Sequence, residues 1–233
     1  TRAWPGPMNT LLTLLHPGNA ARHYASGAWR TDTLYSLLQG HARTRPRAWA
    51  LRDARRRLNW GGLLDWVDSV AAGLHDAGVR PGQRVSVWLP SRAESVVVLL
   101  ACARNGYVCN PSLHQNYTVA EIVQLLERIR AAALFVQPGY GADSGNADIV
   151  SAAQALPFMK AVFAVPGRNG AEARAQPFPE AAPVTSIAAD PDPDKIVYLA
   201  FTSGTTGAPK GVMHSDNTLL ANGRAMVEDW NHD

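Results

Sequence analysis

Ala200-Phe201-Thr202-Ser203-Gly204-Thr205-Thr206-Gly207-Ala208-Pro209-Lys210-Gly211 completes an apolar run that begins at Ile196. Ile196 to Phe201 is rich in β-branched and aromatic residues, which reads as a buried strand. The strand feeds four hydroxyl residues, three glycines and one lysine. Such a loop suits polyphosphate. Gly204 and Gly207 let the backbone come close and turn its N–H groups onto phosphate oxygens. Thr202, Ser203, Thr205 and Thr206 add short hydroxyl donors, and Lys210 adds a full positive charge.

The spacing is G-x-x-G-x-x-K-G, which is not the G-x-x-x-x-G-K-[ST] of a Walker A loop. Pro209 removes a backbone donor and stiffens the loop's end. No long helix begins at once, so a helix dipole is not the main anion holder. The loop is expected to close over bound phosphates.

Upstream, the chain alternates between two periods. Thr33 to Ala42 reads as a helix ended by Arg45-Pro46. Trp49–Arg52 and Arg57–Trp60 read as a hairpin around Arg55-Arg56-Arg57, a solvated turn. Leu63 to Ala77 is amphipathic, with Leu63, Trp66, Val67, Val70, Ala71 and Leu74 on one face and Gly78 as its stop. Strands follow at Arg84–Leu89, Tyr107–Asn110, Ala133–Gln137 and Ala161–Val165. Helices between them open at Ser91-x-x-Glu94 and Thr118-x-x-Glu121, both read as capping boxes, and at Ile149. This alternation predicts an α/β fold, a parallel twisted sheet with flanking helices. Such sheets bind ligands at the carboxyl ends of their strands, where the glycine loop sits. Residues 1–30 read as irregular, and 166–194, rich in Pro, Ala, Gly and acidic residues, as a surface connection.

Thr202-Ser203-Gly204-Thr205-Thr206-Gly207 followed by Pro209-Lys210-Gly211 resembles the phosphate-binding signature of the adenylate-forming enzymes. That family holds the acyl-CoA synthetases, the adenylation domains of peptide synthetases and firefly luciferase. The resemblance runs from about Thr33 to Trp230, through Pro81-Gly82-Gln83-Arg84-Val85, Leu89-Pro90-Ser91, Gly106 to Pro111 and Tyr117 to Ile122. It looks more like an acyl-CoA synthetase than a peptide-synthetase domain. It implies that residues 31–233 are the first half of the family's large N-terminal domain. Family members are well over twice as long, and their adenine, magnesium and ribose contacts and their C-terminal domain find no match here. The chain opens on Thr1 rather than Met. It is therefore expected to be a fragment, inactive alone.

The implied chemistry is attack of a carboxylate on the α-phosphorus of Mg·ATP, with loss of pyrophosphate. Coenzyme A thiol then displaces AMP. ATP, Mg2+ and coenzyme A are the implied cofactors, and a carboxylic acid is the substrate. Thr202, Ser203, Gly204, Thr205, Thr206, Gly207 and Lys210 are the implied binding residues; no catalytic residue and no protein metal ligand is assigned. Where the family often has Ser or Thr then His, this chain has Ser215-Asp216. Asp216 reads as a helix cap and His214 as a strand-end structural residue.

Two other readings stay open. One passes the acyl group to a carrier-protein thiol. The other is a non-catalytic short protein that binds nucleotide or a partner. Composition narrows the field further. Hydrophobic residues make up 46% and charged residues 18%, ordinary for a globular domain. A net charge of +3, without a basic block interleaved with aromatics, argues against nucleic acid. The longest apolar run, Val96 to Ala103, is too short to cross a bilayer, and Met8–Leu15 lacks the marks of a signal peptide. Cys102 and Cys109 have no zinc-spaced partner and read as buried thiols in a reducing, cytoplasmic setting. A homo-oligomer is left open.

Overall fold

Alternate residues of Ala133-Leu134-Phe135-Val136 enter two different cores. Ala133 and Phe135 join one hydrophobic cluster, Leu134 and Val136 another. Ala161-Val162-Phe163-Ala164 splits in the same way. Side chains alternate along a strand, so a sheet covered on both faces needs continuous apolar strands. These two segments are that kind of strand.

The computed structural model describes residues 16–111, 113–143, 146–166, 174–180, 187–202 and 210–230. Helix α1 (Pro17–Ala25) and helix α2 (Leu34–Thr44) precede an antiparallel hairpin of β1 (Trp49–Arg52) and β2 (Arg57–Asn59). Then come α3 (Trp60–Asp76), β3 (Arg84–Trp88), α4 (Ala93–Asn105), β4 (Val108–Asn110), α5 (Val119–Ile129), β5 (Ala133–Val136), α6 (Ile149–Gln154) and β6 (Ala161–Ala164). The short β7 (Gln176–Pro177), β8 (Ile196–Thr202), β9 (Lys210–Ser215) and α7 (Asp216–Trp230) complete the chain. One seven-stranded sheet has the order β7-β6-β5-β3-β4-β8-β9. Every neighbouring pair in it is parallel except β8–β9.

Helices α3 and α4 cover one face, with Trp66, Val67, Val70, Leu74, Val97, Val98 and Ala101 packed on Val85, Val87 and Phe135. Helices α5 and α6 cover the other. Ile122, Leu125 and Leu126 of α5 are buried there, each contributing about 1.5–3 kcal/mol. The Thr118–Glu121 capping box forms as the sequence predicts. Gly106 ends α4 in the left-handed region, φ 70°, where a Cβ would also fall 2.5 Å from Asp190 Oδ2.

Several expectations need correction. Ser91 does not cap α4. The N-cap is Arg92, which makes no side-chain cap. Glu94 is drawn instead into a buried, two-bond pair with the Arg92 guanidinium, 2.6 and 3.1 Å. The first 30 residues are not irregular throughout. Pro17 at the first helical position starts α1, and Tyr24 ties it to Asp194 and Asn217. Residues 166–194 are not wholly a surface connection. Phe178 is buried against Trp66 and Phe135, and β7 pairs with β6, because an aromatic side chain there reaches the core. The arginine turn is not simply solvated. Arg56 stacks on Trp66 at 4.5 Å and pairs with Glu180, while Arg57 stacks on Trp49. The sheet is parallel only up to β8.

Candidate functional site

The chain passes from β3 to β4 on one side of the sheet, then crosses to β5 on the other. Ligands of open α/β sheets bind outside the carboxyl ends of strands at such a reversal. β8 lies next to β4 and parallel to it, so its carboxyl end, Thr202, is on that edge.

β8 and β9 form an antiparallel hairpin from Ile196–Ser215 at its base to Thr202–Lys210 at its tip. Thr202 and Lys210 are direct cross-strand partners, with the Thr202 hydroxyl 3.4 Å from the Lys210 carbonyl oxygen. Both are exposed. Among the described residues no carboxylate lies within ion-pair distance of Lys210. Ser203, Gly204, Thr205, Thr206 and Gly207, with Ala208 and Pro209, lie outside the described residues. Gly211 has a packing reason. A Cβ there would meet Leu199 Cδ1 at 3.0 Å.

Leu199, Phe201, Gly211 and Met213 floor a cavity of about 340 Å³ rimmed by Arg84 and Arg130. Strand alternation puts Thr202 and Lys210 on the opposite face, so this cavity is not part of the polyphosphate candidate. Burial, and then the neighbouring Arg130, lower the Arg84 pKa.

Three residues that hold the hairpin were not assigned to the site from sequence. Asn110, fully buried at the end of β4, donates from Nδ2 to the Leu199 carbonyl at 2.6 Å. Lys195 precedes β8 and pairs with Asp216, which follows β9, at 2.7 Å. Asp216 does not cap its own helix. Its Oδ1 accepts the Leu34 N–H at the start of α2, and Ser215 and Thr218 cap α7 by reciprocal bonds. Burial raises the Asp216 pKa, opposed by Lys195 and by the Leu34 bond. His214, expected to be a structural strand-end residue, is half-buried near the end of β9. Its ring meets Tyr198 edge-on at 5.8 Å and its Nδ1 lies 3.4 Å from the Thr218 hydroxyl. A polar residue ending an apolar strand, as at Asn110, was the available signal.

A family model described as AMP-binding enzyme matches residues 38–233. The chain belongs to this family. It is 31% identical over 210 residues to the 2-hydroxy-7-methoxy-5-methyl-1-naphthoate–CoA ligase of Streptomyces carzinostaticus, covering 86% of this chain and 37% of that one. Apo MbtA of Mycobacterium smegmatis superposes with a TM-score of 0.75 at 30% identity, over 93% of this chain and 40% of that one. MatB of Rhodopseudomonas palustris, solved with ATP bound, superposes with a TM-score of 0.66 at 25% identity, over 85% and 38%. The chain thus spans well under half the length of these proteins. Within the AMP-binding family it supplies a partial N-terminal piece, with a mostly parallel sheet between two helical layers. Among the described residues no helix is long and apolar enough to cross a membrane.

Proposed function

We propose that this chain carries the ATP phosphate-binding loop of an AMP-forming carboxylate–CoA ligase and is inactive without the rest of that enzyme. One observation carries the reading. Thr202 and Lys210, two of the three described residues of the signature, face each other at the exposed tip of a hairpin on the carboxyl edge of the sheet. The relative that is a CoA ligase, and the one solved with ATP, support it.

Charge develops on pyrophosphate as it leaves the α-phosphorus. Donors already aimed at the β and γ oxygens stabilise that charge without reorganising. Thr202, Ser203, Thr205 and Thr206 supply hydroxyls, Gly204 and Gly207 backbone approach, and Lys210 charge. Mg2+ accompanies ATP, and coenzyme A takes the acyl group in the second half-reaction. The setting is the cytoplasm.

The test is carboxylate-dependent ATP–pyrophosphate exchange by the native polypeptide that contains this chain, followed by addition of coenzyme A. Exchange, then acyl-CoA, is expected. Exchange by the 233-residue chain alone would overturn the claim that it is inactive. An acyl group accepted only by a carrier-protein thiol would replace the ligase reading.

A further inference from the structure

The β8–β9 hairpin has little sheet beneath it. On its inner side β8 aligns with β4 through one residue pair, Cys109 with Tyr198. β9 is the last strand in the order. Side chains supply the missing restraint. Lys195 Nζ lies 2.7 Å from Asp216 Oδ2, joining the residue before β8 to the residue after β9. Asp216 is fully buried and the Lys195 side chain is 9% exposed. Lys195 also donates to the Asp192 carbonyl, and Asp216 accepts the Leu34 N–H at 2.8 Å. Beside them Asn217, also fully buried, accepts the Arg30 N–H and donates to Asp194 and Tyr24.

A buried ion pair is weak evidence for stability, because desolvation opposes the Coulomb attraction; its best-attested use is to fix registry. Here the registry at stake is that of a lever. Six residues of β9 span about 20 Å from this pair to the tip. A rotation of a few degrees at the base shifts the tip by about 1 Å, and misplacement on that scale can cost about 100-fold in rate.

We propose that Lys195 and Asp216 are positioning residues that aim the Thr202–Lys210 tip at the nucleotide's phosphates. The inference rests on the phosphate-binding reading above. The test compares Lys195→Met, Asp216→Asn, the double variant and Lys195→Arg in the native polypeptide. KM for Mg·ATP, KM for the carboxylate and the melting temperature are read together. Each single variant is expected to raise the ATP KM on the order of ten-fold, with the carboxylate KM unchanged. The double variant should be no worse than either single, since the two residues act as one unit. It also leaves no buried charge unpaired, so it should melt near the parent while keeping the raised ATP KM. Lys195→Arg should restore most of the affinity.

A double variant that melts like the parent and keeps the parent's ATP KM overturns the inference, as does an equal rise in both KM values. Absence of exchange in the unsubstituted enzyme, over a panel of carboxylates, would bring down the phosphate-binding reading itself and this inference with it.

Discussion

Asp53 Oδ2 accepts the Ala93 backbone N–H at 2.8 Å, so a carboxylate on the β1–β2 turn caps α4 from 40 residues away. Its other oxygen takes the Arg55 and Arg56 N–H groups at 2.7 and 2.6 Å, closing the turn. These bonds, the Ala93 one foremost, hold the Asp53 carboxyl below its ordinary pKa. Asp53→Ala should cost about 1–2 kcal/mol, the usual loss for a cap, whereas Ser91→Ala should change stability by less than about 0.5 kcal/mol. Urea melts of the two variants decide it. Equal losses would return the cap to Ser91.

Glu94 is 2% exposed and faces three donors of two arginines. Burial pushes its pKa up, but the Arg92 bonds, its own backbone N–H and the charges of Arg92 and Arg56 together hold it below 4.5. A carboxyl lowered by folding stabilises above its unfolded pKa, and that contribution is lost as pH falls through the folded value. Stability should therefore fall on acidification from about pH 5 downward. Glu94→Gln should flatten that slope while lowering stability at pH 7. Arg92→Ala, which leaves the buried carboxylate only Arg56 at 3.7 Å, should cost about 3 kcal/mol. An acid limb unchanged in Glu94→Gln would remove Glu94 from this role.

Tyr35 gives the opposite sign. Burial, then its bond to Asp68 at 2.7 Å, pushes the phenol up to about 12 from 10.0. The folded state thus holds the proton more tightly. The contribution is complete below pH 10 and is lost between 10 and about 12. Tyr35→Phe should abolish that alkaline step, visible in melts at pH 9 and pH 11.

Period and punctuation made most of the fold legible. Continuous apolar strands, Gly78 after α3, and the Thr118–Glu121 box all act locally, within a turn or a pleat, and all fall where the sequence predicts. What escaped was decided by distant partners. Ser91-x-x-Glu94 matches a capping box, yet the neighbouring Arg92 takes the glutamate and Asp53 takes the helix end. Asp216 looks like its own helix's cap, yet a lysine 21 residues earlier and the start of α2 claim its two oxygens. Of β9 only a strand end at His214 is read from sequence, because antiparallel pairing with β8 depends on the hairpin closing, not on any pattern within Lys210–Ser215. At the site, the signature was legible as a whole, whereas Asn110, Lys195 and Asp216 are polar residues whose task is visible only once the strands are side by side.

Lys210, in the role proposed for it, would separate the two half-reactions. It begins β9 directly opposite Thr202 and is exposed, so its ammonium can meet phosphate oxygens without first breaking a described ion pair. In adenylation, charge accumulates on the departing pyrophosphate, and a cation there acts more on the transition state than on bound ATP. In thioester formation the pyrophosphate has already gone, and the charge that develops is on AMP. Lys210→Ala in the native polypeptide should therefore slow adenylation by about 100-fold or more, the usual loss on removing one electrostatic contact to a transition state. Thioester formation from preformed acyl-adenylate should fall far less. Lys210→Arg keeps the charge and should recover part of the first rate. Single-turnover assays of each half-reaction measure the two losses separately. Equal losses in both would mean that Lys210 serves the closed form of the enzyme as a whole and not the leaving pyrophosphate.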